Sequence, residues 1–163
     1  MKKLYELLPH IEDLSAEDAF MAKDFLEKAQ RYHEEWFDLI EKLFPIRAKV
    51  RCLVKFIDTE NGNNSTGLDK FVRKIKYAFN IGHIKDKVKE ANAEYMRLKR
   101  DNKSLYQAEE KAKEELLSTL YTVACITYQG DTFRANMFEQ ECEEELKDFT
   151  ETTIKEIMEK MNT

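Results

Sequence analysis

The chain is predicted to be all-α. Three observations carry this. Only four Gly and two Pro are spread over 163 residues, so helix breakers are scarce. Apolar residues recur at steps of three and four along nearly every segment, and no run alternates apolar with polar as a half-buried strand does. A chain of this length forms one domain, 1–163, with loop 58–67 as its candidate sub-division, and buries roughly 68–70% of its unfolded surface. The expected architecture is an irregular bundle of five or six helices with a central helical hairpin of coiled-coil character.

Residues 1–8 are expected to form a short helix that Pro9 ends. Ser15, with Asp18 three residues on, then reads as a capping box. Ala19, Ala22, Leu26, Ala29, His33, Trp36, Ile40 and Leu43 follow at helical steps, with Phe25, Tyr32 and Leu39 as a second stripe. The apolar face is therefore wide, as on a helix packed against two neighbours. Pro45 is expected to close this helix at 44, because the residue before a proline is disfavoured in helical geometry. A second helix then carries Ile46, Val50, Leu53, Val54 and Ile57.

Beyond the polar loop 58–67, a helix opening near Thr66 sets Phe71, Val72, Ile75, Ala78 and Phe79 on one face, and Asn80-Ile-Gly82 reads as a turn. Ile84, Val88, Ala91, Tyr95 and Leu98 then step 4-3-4-3 like a coiled-coil seam. Continuing that register puts Asn102 and Glu109 at seam positions. Asp101-Asn-Lys-Ser104 instead reads as a hairpin turn, with Ser104 and Gln107 as a capping box. The next helix runs from about 104 to 128, with Glu109, Glu110, Glu114 and Glu115 on its outside, and stops at Gly130. Asp131 caps the last helix.

Charge is sorted along the chain. Residues 1–44 hold 6 Lys+Arg against 11 Asp+Glu, residues 45–103 hold 15 against 7, and residues 104–163 hold 6 against 14. A mildly acidic protein thus contains a strongly basic middle, where a partner is sought. The candidate binding residues are Lys70, Arg73, Lys74, Lys76, Lys85, Lys87, Lys89, Arg97, Lys99 and Arg100. A cationic surface of this kind attracts acidic surfaces and, by counterion release, nucleic acid. Ala78-x3-Gly82-x5-Val88 resembles a helix-turn-helix in spacing, with His83 where an aliphatic residue is usual. That resemblance implies a reading helix with Lys85, Lys87, Lys89 and Asn92.

Two acidic features are alternatives. Glu35-x-x-Asp38 and Glu145-x-x-Asp148 resemble the carboxylate helix pairs with which all-α nucleotide pyrophosphohydrolases hold Mg²⁺, although here they stand over a hundred residues apart. The strip Glu139, Glu141, Glu143, Glu144, Glu145, Asp148 and Glu151 is similar to the acidic helices of small proteins that mimic a nucleic-acid backbone. No phosphate-binding loop, zinc-protease or nucleophile-elbow motif occurs, so no catalytic residue, metal ligand or cofactor is assigned.

Cys52, Cys125 and Cys142 are odd in number and far apart, which suits reduced thiols in a cytoplasmic setting. His33 lies on the apolar stripe and reads as a core or interface histidine rather than a ligand. The most apolar stretch, Leu116 to Tyr128, is too short to span a bilayer, and no membrane is expected among the partners. The expectation is a non-enzymatic binding or regulatory protein whose basic face docks an acidic protein. Nucleic acid is the alternative partner, a Mg²⁺-dependent hydrolase is the third reading, and a homo-oligomer is compatible.

Overall fold

The structure, a computed structural model, describes residues 1–62 and 66–163. These form six α-helices and a 3₁₀ turn, without a strand: α1 (Leu4–Glu12), α2 (Ala16–Glu60), α3 (Gly67–Ala78), the turn Ile81–His83, α4 (Ile84–Asp101), α5 (Lys103–Thr127) and α6 (Thr132–Met161). The all-α expectation therefore holds. The described residues cluster into two compact units. One takes Met1–Lys42 and Leu105–Thr153, the other Leu43–Ser104 and Ile154–Thr163. Loop 58–67 falls within the second, and its residues 63–65 lie outside the described residues.

In the first unit the stripe on α2 is buried as predicted at Ala22, Ala29, Trp36 and Ile40. Leu7 and Ile11 of α1 join it, with Leu116, Leu120, Val123 and Ala124 of α5 and Ala135, Phe138, Cys142 and Leu146 of α6. Trp36 is 1% exposed, and its Nε1 donates a 2.8 Å hydrogen bond to Oε1 of Glu109, itself 6% exposed. Glu109 is thus a core partner of an indole, not an outward acid as the charge pattern suggested. A buried N–H needs an acceptor, and that need outweighs the preference of a carboxylate for water.

Both prolines overturn their predicted breaks. Pro9 sits inside α1 and Pro45 inside α2. A proline removes one backbone hydrogen bond and crowds the carbonyl four residues earlier. At α1 the buried pair Leu7 and Ile11 spans Pro9 at i, i+4. At α2, Leu43, Phe44, Ala48 and Val50 are buried around Pro45. Each of the larger side chains contributes about 1.5–3 kcal/mol when fully buried, so together they offset a defect of about 3 kcal/mol.

The capping reading succeeds where a side chain reaches back. The Asp18 N–H donates to Ser15 Oγ at 3.2 Å, and the Arg134 N–H donates to Asp131 Oδ1 at 3.2 Å. Thr66 is the N-cap of α3 but makes no side-chain cap bond. The chain breaks between α4 and α5 at Asn102 (φ −108°, ψ 10°), whose Nδ2 donates to the Leu98 carbonyl at 2.8 Å. Ser104 is therefore inside α5 rather than its cap, since asparagine one turn past Leu98 satisfies a helix-end carbonyl directly. At the far end of α5, the N–H of Gly130 bonds the Cys125 carbonyl and that of Gln129 bonds the Ile126 carbonyl, a Schellman closure. Gln129, at φ 54°, takes the left-handed position that glycine usually fills.

Two outcomes test this packing. Pro45→Ala restores the missing bond of α2 and is expected to stabilise the protein by about 2 kcal/mol, read as a higher urea midpoint at unchanged slope. Trp36→Phe leaves the Glu109 oxygen without its indole donor, with an expected loss of roughly 2 kcal/mol.

Candidate functional site

The ten candidate residues of the basic middle belong to α3 and α4, both in the second unit. Along α4, residues at i, i+4, i+7, i+11 and i+15 share a flank. That flank carries Lys85, Lys89, Asn92, Met96 and Arg100, and all five are exposed. Lys87, two residues from Lys85, is turned roughly 200° away. The four residues of the proposed reading helix therefore do not share one face. Lys85, Lys89 and Asn92 do, and Lys87 does not.

Several of the ten candidate residues are already engaged. Arg97 grips Glu94 through Nε at 2.8 Å and Nη2 at 2.6 Å, and reaches Asp101 at 3.6 Å. Lys49 of α2 adds a 2.9 Å contact to the same Glu94. The Arg97 guanidinium and then the Lys49 ammonium hold the Glu94 carboxyl down to about 2. Arg100 Nε lies 3.3 Å from Asp101, and Lys99 Nζ stands 5.9 Å from the Tyr95 ring centre. Arg73 bonds Asp69 at 3.4 Å and donates from Nη1 to the Thr59 carbonyl at 3.2 Å. Among the described residues, Lys74, Lys76, Lys87 and Lys89 are exposed and meet no carboxylate. Lys85 contributes its ammonium to the Tyr77 ring at 5.9 Å.

The turn between α3 and α4 is built from left-handed residues. Asn80 (φ 50°), Gly82 (φ 65°) and His83 (φ 58°) adopt positive φ. The Asn80 side chain accepts the Lys85 N–H at 2.8 Å, which ties the turn to the start of α4. Val88 is buried, as the helix-turn-helix spacing requires, but Ala78 is exposed. Ala78 therefore does not mark a buried close approach of the two helices.

The acidic candidates lie in the first unit. Among the described residues no three His, Cys, Asp or Glu side chains form a metal-sized group, so Glu35, Asp38, Glu145 and Asp148 do not converge. Glu145 instead accepts the Lys2 backbone N–H at 2.9 Å, and Glu141 pairs with Lys3 at 3.2 Å. Cys142 is buried, and burial pushes its thiol up to about 12. Cys52 and Cys125 are half-buried.

His33 is half-buried, with its ring 5.8 Å from that of Trp36. It borders a cleft of about 380 Å³ lined also by Leu4, Tyr5, Leu8 and Glu34. Burial lowers its pKa first, the positive amino terminus adds to this, and Glu145 and Glu34 oppose it. No family model matches the chain, and neither does any curated protein or solved structure.

The His33 shift has a sign that can be checked. The folded chain binds this proton more weakly than the unfolded chain, whose histidine titrates near 6.5. Stability from this group is complete above that value and is lost as pH falls below it. A melting series from pH 7.5 to pH 5 is expected to decline, and His33→Gln is expected to make the decline shallower.

Proposed function

We propose that this chain is a non-enzymatic binding or regulatory protein that docks an acidic protein partner through the cationic flank of α4. The observation that carries the reading is the stripe Lys85, Lys89, Asn92, Met96 and Arg100, exposed along one side of a single helix. Exposed Met96 in its middle supports a protein partner, because methionine gives an adaptable apolar contact between charged ones. The neighbouring carboxylates Asp86, Glu90, Glu94 and Asp101 oppose a polyanion and are tolerable at a mixed protein surface. Three cysteines without a disulfide support a reducing, cytoplasmic setting. Nucleic acid is the second reading, favoured by the order helix, tight turn, helix over residues 67–101.

The test is fluorescence anisotropy of the full chain with a labelled Glu-rich peptide and with duplex DNA, at low and moderate salt. Salt-sensitive peptide binding is expected. Lys85→Glu with Lys89→Glu should weaken it at least about tenfold, and Lys87→Glu alone should change it less than about threefold. Stronger duplex binding with a steep salt slope transfers the assignment to nucleic acid. Binding to neither probe removes the reading.

A further inference from the structure

α3 is packed the wrong way round for an ordinary surface helix. At 100° per residue, Leu68, Phe71, Val72, Ile75 and Phe79 fall within an arc of about 100°. Such an arc normally turns to the core. Here Leu68 at 77%, Phe71 at 61% and Phe79 at 76% stand open to solvent, Val72 and Ile75 are more covered at 37% and 38%, and no residue of α3 is buried. The half-buried side chains are Lys70, Arg73 and Tyr77, which share the opposite side. That polar side is the one seated on the unit. Arg73 bonds the Thr59 carbonyl, and a Cβ on Gly62 would stand 3.1 Å from the Lys70 carbonyl. The apolar arc is bordered by Lys74 on one side and Lys76 on the other, both exposed and without a carboxylate partner among the described residues.

We infer that α3 is a membrane-surface helix, which lays Leu68, Phe71, Val72, Ile75 and Phe79 into the outer layer of an anionic bilayer while Lys74 and Lys76 meet the headgroup phosphates. A strongly amphipathic helix of low net hydrophobicity with lysines along its polar borders has the chemistry of an interfacial helix. The lysine stems reach along the apolar layer and hold their ammonium groups at headgroup level. With Lys74 and Lys76 on its borders and Leu68, Phe71 and Phe79 the most exposed side chains of its arc, α3 suits an anionic bilayer surface. No helix among the described residues is long and apolar enough to cross a membrane, and a helix lying in the interface needs no such length. This surface is separate from the α4 flank, so it neither requires nor excludes the acidic protein partner.

The experiment is flotation of the full chain with vesicles of phosphatidylcholine alone and of phosphatidylcholine with about 30% phosphatidylserine, the anionic lipid that attracts juxtamembrane lysines. Binding is expected on the phosphatidylserine vesicles and to fall with salt. Phe71→Trp should blue-shift on binding and be quenched by brominated acyl chains, while the buried Trp36 of the parent chain is not. Leu68→Ser with Phe71→Ser changes only strongly exposed side chains, so its melting midpoint should stay put while vesicle affinity drops more than about tenfold. Lys74→Gln with Lys76→Gln should lower affinity about 25-fold, at roughly fivefold per lysine. The inference is overturned if the full chain binds no vesicle. It is overturned equally if phosphatidylserine binding survives Leu68→Ser with Phe71→Ser, which would mean adsorption by charge alone. Loss of an acidic protein partner in that double variant, without vesicle binding, would assign the face to a protein groove instead. The Lys85→Glu and Lys89→Glu result is read on the peptide and stands or falls separately.

Discussion

Burial along α2 is the constraint on which both units rest. In the first unit it places Ala22, Ala29, Trp36 and Ile40 in the core, and in the second Leu43, Phe44, Ala48 and Val50. Two consequences follow from one stripe. The indole of Trp36 cannot enter a core without an acceptor, so a carboxylate from α5 must follow it in, and Glu109 does. The stripe also continues past Pro45 without interruption, so the helix tolerates a proline that would end a less deeply packed one.

α3 shows the opposite balance. The Asp69–Arg73 pair is exposed, and pairs of that kind are worth about 0–1 kcal/mol. Turning the helix over would bury side chains worth about 1.5–3 kcal/mol each. The surface pair therefore cannot be what holds the apolar side outward. The approach of the Lys70 backbone to Gly62 and the Arg73 bond to the Thr59 carbonyl both lie on the polar side. They leave an apolar strip that water solvates poorly and that a bilayer surface would cover.

Much of the fold was legible because helical periodicity reports burial directly. The α2 stripe, the Ser15 and Asp131 caps, a turn at 80–82 and the stop near Gly130 follow from residue type and spacing, whereas the left-handed φ of His83 and Gln129 does not. What escaped was decided by tertiary contact. Pro9 and Pro45 have strong local preferences, and nothing within a few residues reveals that burial on both sides will overrule them. Glu109 fell on the extrapolated seam, which was the available signal that it faces inward, and the acidic run Glu109, Glu110, Glu114, Glu115 masked it. In the basic middle, composition located the cations but not their engagement. Spacing alone separates Lys87 from Lys85 and Lys89, whereas the claim of Glu94 on both Arg97 and Lys49 needs the fold. For α3, periodicity found the apolar face but not the side to which it turns, since a moment has no sign relative to a core not yet built.

Lys49 of α2 is claimed by Glu94, but on α3 and α4 the cations that meet a carboxylate and those that do not differ in kind. Arg73, Arg97 and Arg100 each meet a carboxylate within the second unit, whereas Lys74, Lys76, Lys87 and Lys89 meet none among the described residues. A guanidinium is planar and matches a carboxylate with paired donors, so it is suited to fixed internal geometry. An ammonium is a compact, well-hydrated charge on a flexible stem. A surface left to lysines can follow an acidic peptide or a layer of headgroups without demanding one bonding pattern, and its attraction is diffuse and screened by salt. Selectivity must then come from the apolar residues set among the lysines. In the proposed readings Met96 would supply that contact on the flank of α4, and the outward strip of α3 would supply it at its own surface, so each charged face has an exposed apolar element beside it.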